Sequence, residues 1–147
     1  MTDLQTLTRF RISGHDGADA IAQAREEGRV LALQLGFAPP RALMVTTVIS
    51  ELARNIVTYA RSGELRVGLY SNGKRSGLSI TALDEGPGIA DLERAMLSGY
   101  STSGNPGMGL PGVNRIADEF KIESRPGHTL VRAIFWAAEP GATAGTP

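Results

Sequence analysis

The sequence predicts a single α+β domain in which amphipathic helices pack on a sheet that contains an antiparallel hairpin. The chain has 147 residues, which fits one domain, and 41% of them are hydrophobic, which is enough to form a core. Apolar residues recur at helical spacing in the first part of the chain and alternate as in strands further on. We expect the domain to span residues 1–136 and residues 137–147 to form a disordered tail.

The composition excludes several classes of function. Lys and Arg total 15 and Asp and Glu total 15, so no net charge draws the chain to nucleic acid or to an anionic membrane. Cysteine is absent, which excludes disulfide bonds and thiolate chemistry. No apolar run approaches the ~20 residues of a membrane span, and the N-terminus has no signal-peptide pattern. We therefore expect a cytoplasmic protein with neither nucleic acid nor membrane as a partner.

The first elements are a short strand and a helix. Residues 1–7 show no pattern and are expected to be loose, whereas residues 9–13 alternate like a strand. Asp16 is a plausible cap for a helix over residues 18–35, which Gly36 ends.

The second helix carries two polar residues beside its apolar face. It is predicted to begin at Pro39 and to end at Ser62 and Gly63. Glu51 and Asn55 lie four residues apart and are neighbours on one flank of the apolar face, where side chains look across the edge of the core into a cleft. An ordinary solvated pair is the alternative. The apolar face consists of Val45, Val48, Ile49, Leu52 and Ile56.

A hairpin follows this helix. Residues 65–69 and 78–83 alternate like strands, and Asn72 and Gly73 between them form a strong turn signal. The remaining predicted elements are a short helix from Asp91 to Gly99, a polar loop over 99–106, a helix over 113–120, and strands over 121–124 and 129–136 joined at Pro126 and Gly127.

Two glycine-rich segments suggest a nucleotide site. The first, residues 84–89, reads DEGPGI and follows a strand. Asp84 can accept a hydrogen bond from an amino group such as that of adenine, and Gly86 and Gly88 let the backbone approach a flat ligand. The second, residues 107–112, reads GMGLPG and opens a helix, whose free N–H groups suit phosphate oxygens.

The second segment also matches G-x-G-x-x-G, which is weak evidence by itself. A dinucleotide-binding fold requires a strand directly before the motif, but residues 101–106 have the composition of a loop. The V-A-I-K, H-R-D and D-F-G motifs of eukaryotic-type protein kinases are absent. The Gly-Lys-Ser/Thr end of a P-loop is absent as well.

Taken together, the motifs are far more specific. Glu51-x-x-x-Asn55, Asp84-x-Gly86-x-Gly88 and then G-x-G-L-x-G over 107–112 resemble, in order and spacing, the N, G1 and G2 boxes of the GHKL (Bergerat-fold) ATPases. This family groups gyrase, the ninety-kilodalton heat-shock chaperones, histidine kinases and mismatch-repair proteins. Residues 10–136 are most similar to its branch of bacterial serine kinases that regulate sigma factors, and within that branch to stressosome switch kinases.

The resemblance implies a two-layer sandwich, with a mixed, mostly antiparallel sheet under helices and ATP bound between the helices and a lid over residues 99–106. It implies that Glu51 is the catalytic base, that Asn55 holds Mg²⁺ and that Asp84 fixes adenine. The residues expected at the nucleotide are Asn55, Asp84, Gly86, Gly88, Ile89, Thr102, Ser103, Gly107, Met108, Gly109, Leu110, Gly112 and Thr129.

The chain departs from the family pattern at two places. The lid has Gly104 and Asn105 where a basic residue is often found, so a lid cation, if one is needed, must come from Arg54, Arg61 or a partner chain. The turn before the last strand lacks one of the two usual glycines, and Thr129 beside it is assigned a place near Asp84.

The resemblance implies a serine/threonine kinase that phosphorylates a STAS-domain antagonist protein in a partner-switching pathway regulating a sigma factor or stress response. A PP2C-type phosphatase or a sigma factor would be a further partner. One alternative is an anti-sigma factor that acts by sequestering a sigma subunit, although a pure binding protein needs no base at Glu51. Another is a stand-alone ATPase or histidine-kinase fragment, but His15 and His128 both lie in turn-like contexts and no helix carries a phosphoacceptor histidine.

Overall fold

The computed structural model describes residues 3–14, 17–89, 96 and 109–137. In chain order the elements are β1 (Asp3–Ser13), α1 (Gly17–Gln34), α2 (Pro39–Ala60), β2 (Ser62–Ser71), β3 (Ser76–Asp84), α3 (Gly109–Ile116), β4 (Glu119–Arg125) and β5 (His128–Trp136).

The strands form one five-stranded sheet in the order β1-β2-β3-β5-β4, and every neighbouring pair is antiparallel. Helices α1 and α2 pack on one face of this sheet, which confirms the predicted two-layer sandwich. No helix in the described part of the chain is long and apolar enough to cross a membrane.

The core lies between α2 and the sheet. The predicted apolar face of α2 is fully buried, since Val45, Val48, Ile49 and Leu52 are each 0% exposed. Complete burial of such side chains contributes about 1.5–3 kcal/mol each. The opposing sheet face carries Leu65, Val67, Leu78, Ile80, Val131, Ala133 and Phe135.

The predicted boundaries of the first helices and the hairpin are nearly correct. Gly36 has a φ of +89° and follows the end of α1. Helix α2 ends at Ala60, two residues before the predicted end at Ser62, because its C-cap residue Arg61 takes a φ of +69° while its N–H bonds to the Val57 carbonyl. The predicted turn is confirmed, since Gly73 has a φ of +90° within the β2–β3 hairpin.

Two predictions about the ends of elements are wrong. Residues 1–7 were expected to be loose, yet β1 begins at Asp3 and pairs with β2 along its length. A shift of register between Thr6 and Thr8 breaks the alternation there, which hides the strand from a periodicity search.

The helix predicted over residues 113–120 lies at Gly109–Ile116 instead. It can begin before Pro111 because the N–H groups of a first helical turn have no partner within the helix. It ends earlier because the Asp118 N–H bonds to the Ile134 carbonyl, which brings the chain into the sheet. Phe120 therefore lies on β4, opposite Ala133.

Several predictions lie outside the described residues. They concern the Asp16 cap, the short helix from Asp91 to Gly99 apart from Met96, the lid over residues 99–106, and the tail beyond Ala137.

Replacing Gly63 tests how tightly β2 is held between α2 and β3. A Cβ at Gly63 would lie 2.4 Å from the Leu83 carbonyl oxygen and 2.9 Å from Ile56 Cγ2. We expect Gly63→Ala to lower the free energy of unfolding by about 1–3 kcal/mol, the usual cost of overpacking. Chemical denaturation measures it. Gly14→Ala is the control, because its Cβ would meet only Val57 Cγ1 at 3.9 Å. Equal stability of the two variants would contradict the packing argument.

Candidate nucleotide site

The end of α2 and the turn after β3 touch with almost no side chain between them. A Cβ at Gly86 would lie 2.6 Å from Ala60 Cβ, and one at Gly63 would lie 3.0 Å from Asp84 Cβ. Real Cβ atoms essentially never lie closer than 3.0 Å to a non-bonded atom. Only glycine at these two positions therefore allows the end of α2 and the turn after β3 to come this close. The contact brings segment 84–89 against the helix that carries Glu51 and Asn55.

Glu51 and Asn55 lie at the border of the core. Glu51 is only 7% exposed, and Arg54 Nη1 donates to its Oε1 atom over 3.3 Å. Among the described residues, Asn55 Nδ2 is a buried side-chain atom with no hydrogen-bond partner. A buried amide without a partner is costly, and one at a cleft is available to bind something else.

Asp84 is buried at the end of β3, with 8% of its surface exposed. The Gly86 N–H donates to its Oδ1 atom over 3.0 Å. Burial raises the pKa of the Asp84 carboxyl above its ordinary value, while the Gly86 hydrogen bond and the charge of His128 oppose this shift. One carboxylate oxygen is therefore engaged by the turn.

Thr129 lies directly opposite Asp84 in the β3–β5 register, so both side chains point to the helix side of the sheet. Thr129 is 4% exposed, and its Oγ1 atom shares a hydrogen bond of 2.8 Å with Ser124 Oγ. Ser124 Oγ also accepts the Ile89 N–H over 2.7 Å. The hydroxyls of β4 and β5 thus hold the segment that follows Asp84.

Sequence reasoning missed Ser124. Its signal was present, because Ser124 continues the alternation of Phe120 and Ile122 and is a polar residue at an apolar position of β4. A further hydrogen bond holds the turn after β3, since the Gly127 N–H donates to the Gly86 carbonyl over 2.8 Å.

The glycines of the first segment have a packing role that the sequence did not suggest. Gly86 lies against Ala60, and Gly88, with a φ of +87°, would place a Cβ 2.9 Å from the Arg125 carbonyl. Both were predicted to let a ligand approach the backbone. The structure gives a different reason for glycine at these positions, and contact with a ligand stays a prediction.

The second glycine-rich segment is described in part. Gly109, Leu110 and Gly112 belong to the first turn of α3, and Leu110 is buried against the core. Gly107 and Met108, together with Thr102 and Ser103 of the predicted lid, lie outside the described residues.

Of the two arginines considered as a replacement for a lid cation, Arg54 lies at the site. It contacts Glu51 from the next helical turn with about half of its side chain exposed. Arg61 is exposed and follows the end of α2.

The residues present fit a divalent cation of the kind that takes few protein ligands. No group of three His, Cys, Asp or Glu side chains in the described ranges could hold a metal. Asn55 is half-buried and instead offers an amide whose Nδ2 atom is buried without a partner among the described residues, and the oxygen and nitrogen of such an amide are interchangeable in assignment. Mg²⁺ commonly keeps several waters and uses few protein ligands together with phosphate oxygens.

Comparison with known proteins agrees with this geometry. Residues 16–135 match the family described as histidine kinase-like ATPase domain. The serine/threonine-protein kinase RsbT of Bacillus subtilis (strain 168) is 46% identical over 117 residues, which cover 79% of this chain and 88% of RsbT.

Two anti-sigma F factors are also similar. Those of Thermoanaerobacter sp. (strain X514) and Caldanaerobacter subterraneus subsp. tengcongensis are each 32% identical, over 95 and 97 residues. The aligned regions cover 60% of this chain and 65% of each anti-sigma F factor.

The family match covers most of the chain, and the structure has the two-layer arrangement with Glu51 and Asn55 on the helix that faces the Asp84 turn. The chain belongs to the histidine kinase-like ATPase family.

Proposed function

We propose that the chain is an ATP-dependent serine/threonine kinase that phosphorylates a STAS-domain antagonist protein in a partner-switching pathway. The 46% identity to a serine/threonine-protein kinase supports this activity. The observation that carries the proposal is the position of Glu51, a nearly buried carboxylate one helical turn from the unpartnered amide of Asn55. A protein that only binds nucleotide has no need of a carboxylate there.

Glu51 is proposed as the general base. The substrate serine loses its hydroxyl proton to the Glu51 carboxylate as the serine oxygen bonds to the γ-phosphorus of ATP and the bond to the β–γ bridging oxygen breaks, which releases ADP. Arg54 contacts the Oε1 atom of Glu51 and restricts its orientation. Arg54 is also the described arginine best placed to supply the positive charge that the lid sequence lacks.

Asn55 is proposed to hold the metal ion that accompanies ATP. Mg²⁺ in such a site neutralises phosphate oxygens and so lowers the barrier to transfer. The contribution of this chain is a half-buried amide that is held by the rigid α2 helix and whose Nδ2 atom has no described hydrogen-bond partner.

Asp84 and its neighbours are proposed to hold adenine. With the Asp84 Oδ1 atom occupied by the Gly86 N–H, Oδ2 can accept a hydrogen bond from the adenine amine. Thr129, opposite Asp84, and Ile89, held by Ser124, complete this side. Gly109, Leu110 and Gly112 at the start of α3 are proposed to face the phosphates, together with Thr102, Ser103, Gly107 and Met108.

An anti-sigma factor is the second candidate, supported by the 32% identity to anti-sigma F factors. In that function the chain would sequester a sigma subunit, and phosphorylation would release it. A PP2C-type phosphatase is the further partner in the kinase function. Both functions use ATP and protein partners of the cytoplasm, which is the proposed location.

Replacing Glu51 separates catalysis from binding. Glu51→Gln keeps the size of the side chain but removes the base, so transfer of γ-phosphate from Mg-ATP to a STAS-domain protein should fall about 100-fold or more. The affinity for ATP should stay within about twofold, because the base does not contact adenine. Labelled ATP and calorimetry measure the two quantities. Glu27→Gln, on the exposed surface of α1, is the matched control.

Transfer that is as fast in Glu51→Gln as in the wild type would remove Glu51 from the mechanism. Tight ATP binding without transfer by the wild type, together with capture of a sigma subunit, would favour the anti-sigma function instead.

Replacing Asp84 should weaken ATP binding and stabilise the fold. Because burial raises the pKa of Asp84, ionisation opposes folding at neutral pH, and the stability lost by ionisation is regained as pH falls through the folded pKa toward about 4. Asp84→Asn should therefore raise the unfolding temperature at pH 7, by an amount that shrinks toward pH 4. Its amide oxygen would take the Gly86 N–H and turn its NH₂ group toward the adenine amine, so ATP affinity should fall about tenfold or more.

Thermal unfolding at several pH values and ATP calorimetry test these two effects. Asp19→Asn, in the exposed first turn of α1, is the control. It should neither raise the unfolding temperature at pH 7 nor weaken ATP binding. An Asp84→Asn variant that binds ATP normally would contradict the adenine assignment.

A further inference from the structure

The sheet face that points away from the helices carries a line of positive charge. The register places Arg9 opposite Arg66, Arg66 opposite Thr81, Thr81 opposite Arg132 and Arg132 opposite Lys121. Side chains of directly opposed residues lie on the same face. These five residues, one from each strand, are termed the cationic row.

The charges of the cationic row are only partly neutralised. Arg66 pairs with Glu64, and Lys121 pairs with Glu123 over 3.4 Å. Within the described ranges no ion pair forms at Arg9 or Arg132. Like charges directly opposed on neighbouring strands destabilise a sheet, so the row has a cost that the fold itself does not require.

Arg132 shows that the row is built into the sheet. Its guanidinium Nε donates to Thr81 Oγ1 over 3.0 Å, and Thr81 is only 1% exposed. Burial lowers the pKa of Arg132, and the charge of Arg66 acts in the same direction, whereas Tyr70 and Glu123 oppose the shift. The guanidinium is thus held in place at the centre of the face.

A cavity opens beside the row. It has a volume of about 400 Å³, and Arg11, Arg66 and His128 line it together with Glu64, Asp84 and Glu85. Neighbouring strands lie ~4.8 Å apart, so a row that crosses five strands extends roughly 19 Å. The row and the cavity together offer a line of cations and an adjoining recess.

We propose that the cationic row and this cavity form a docking surface for a protein that presents a strip of Asp and Glu side chains. A carboxylate strip of this length would pair with Arg9, Arg132 and Lys121 and place one side chain in the cavity. Electrostatic complementarity of this kind determines orientation and the rate of association. The row lies on the opposite side of the sheet from Glu51, whereas the cavity meets the proposed nucleotide site at Asp84.

The charges around the row favour protein over the other occupants. Glu64, Glu85 and Glu123 border it. A protein can place its carboxylates only opposite the cations, whereas a phosphodiester chain carries a charge at every unit and would also meet these carboxylates. A second copy of the chain is disfavoured because a two-fold contact would set the cations of one row against those of the other.

A charge-reversal pair tests the docking surface. Arg9→Glu with Lys121→Glu changes the two exposed ends of the row, and Arg25→Glu with Lys74→Glu makes the same change of net charge on α1 and in the hairpin turn. A fluorescein-labelled peptide of ten glutamates serves as the probe at low salt. We expect its Kd to rise about tenfold in the row variant and less than about twofold in the control. Amide shifts in spectra of the full chain should map to β1, β2, β4 and β5.

Equal weakening in both variants, or shifts confined to another surface, would overturn the proposal. Tighter binding of a ten-nucleotide single-stranded DNA than of the peptide would assign the face to nucleic acid and overturn it too. So would a dimer of the wild type that dissociates in the row variant.

If the charge reversal prevents folding, Arg9→Ala with Lys121→Ala replaces it, with the same comparison against Arg25→Ala with Lys74→Ala. ATP affinity, measured on every variant, should not change, which separates this proposal from that of the nucleotide site.

Discussion

The close approach of the turn after β3 to the end of α2 is the contact on which the rest of the site depends. Gly63 and Gly86 leave no room for a side chain between β2, the turn and Ala60. The Gly127 N–H holds the same turn from the side of β5. This places Asp84 at a fixed distance from the helix that carries Glu51 and Asn55, two elements that are far apart in sequence.

The arrangement costs stability where function is proposed. Asp84 is buried, which raises the pKa of its carboxyl, and the buried Nδ2 atom of Asn55 has no partner among the described residues. A fold selected for stability alone would avoid both features, because each leaves a polar group in an unfavourable environment. The cationic row on the other face of the sheet also costs stability, because it places Arg9 opposite Arg66. Polar and charged groups that are unfavourable for stability thus lie in two places, at the proposed nucleotide site and along the cationic row.

Much of this could be predicted from the sequence, for identifiable physical reasons. The apolar periodicity of α2 and the Asn72-Gly73 turn are local signals, and both correspond to the observed elements. The extension of β1 could not be found, because the register shift after Thr6 interrupts its alternation. Ser124 depends on pairing between β4 and β5, and its hydrogen bond with Thr129 is set by the sheet register rather than by any neighbouring residue.

The most direct test of the central contact is the affinity of Gly86→Ala for Mg-ATP, measured by calorimetry beside Gly14→Ala. The added methyl would lie 2.6 Å from Ala60 Cβ, so the turn must move away from α2 and take the Asp84 carboxylate with it. We expect a chain that still unfolds cooperatively but binds Mg-ATP about tenfold or more weakly, since a displaced Asp84 carboxylate would lose its hydrogen bond to the adenine amine, and a hydrogen bond to a charged group contributes about 1.5–3 kcal/mol. A Kd within about twofold of the wild type would contradict the claim that this contact positions the site.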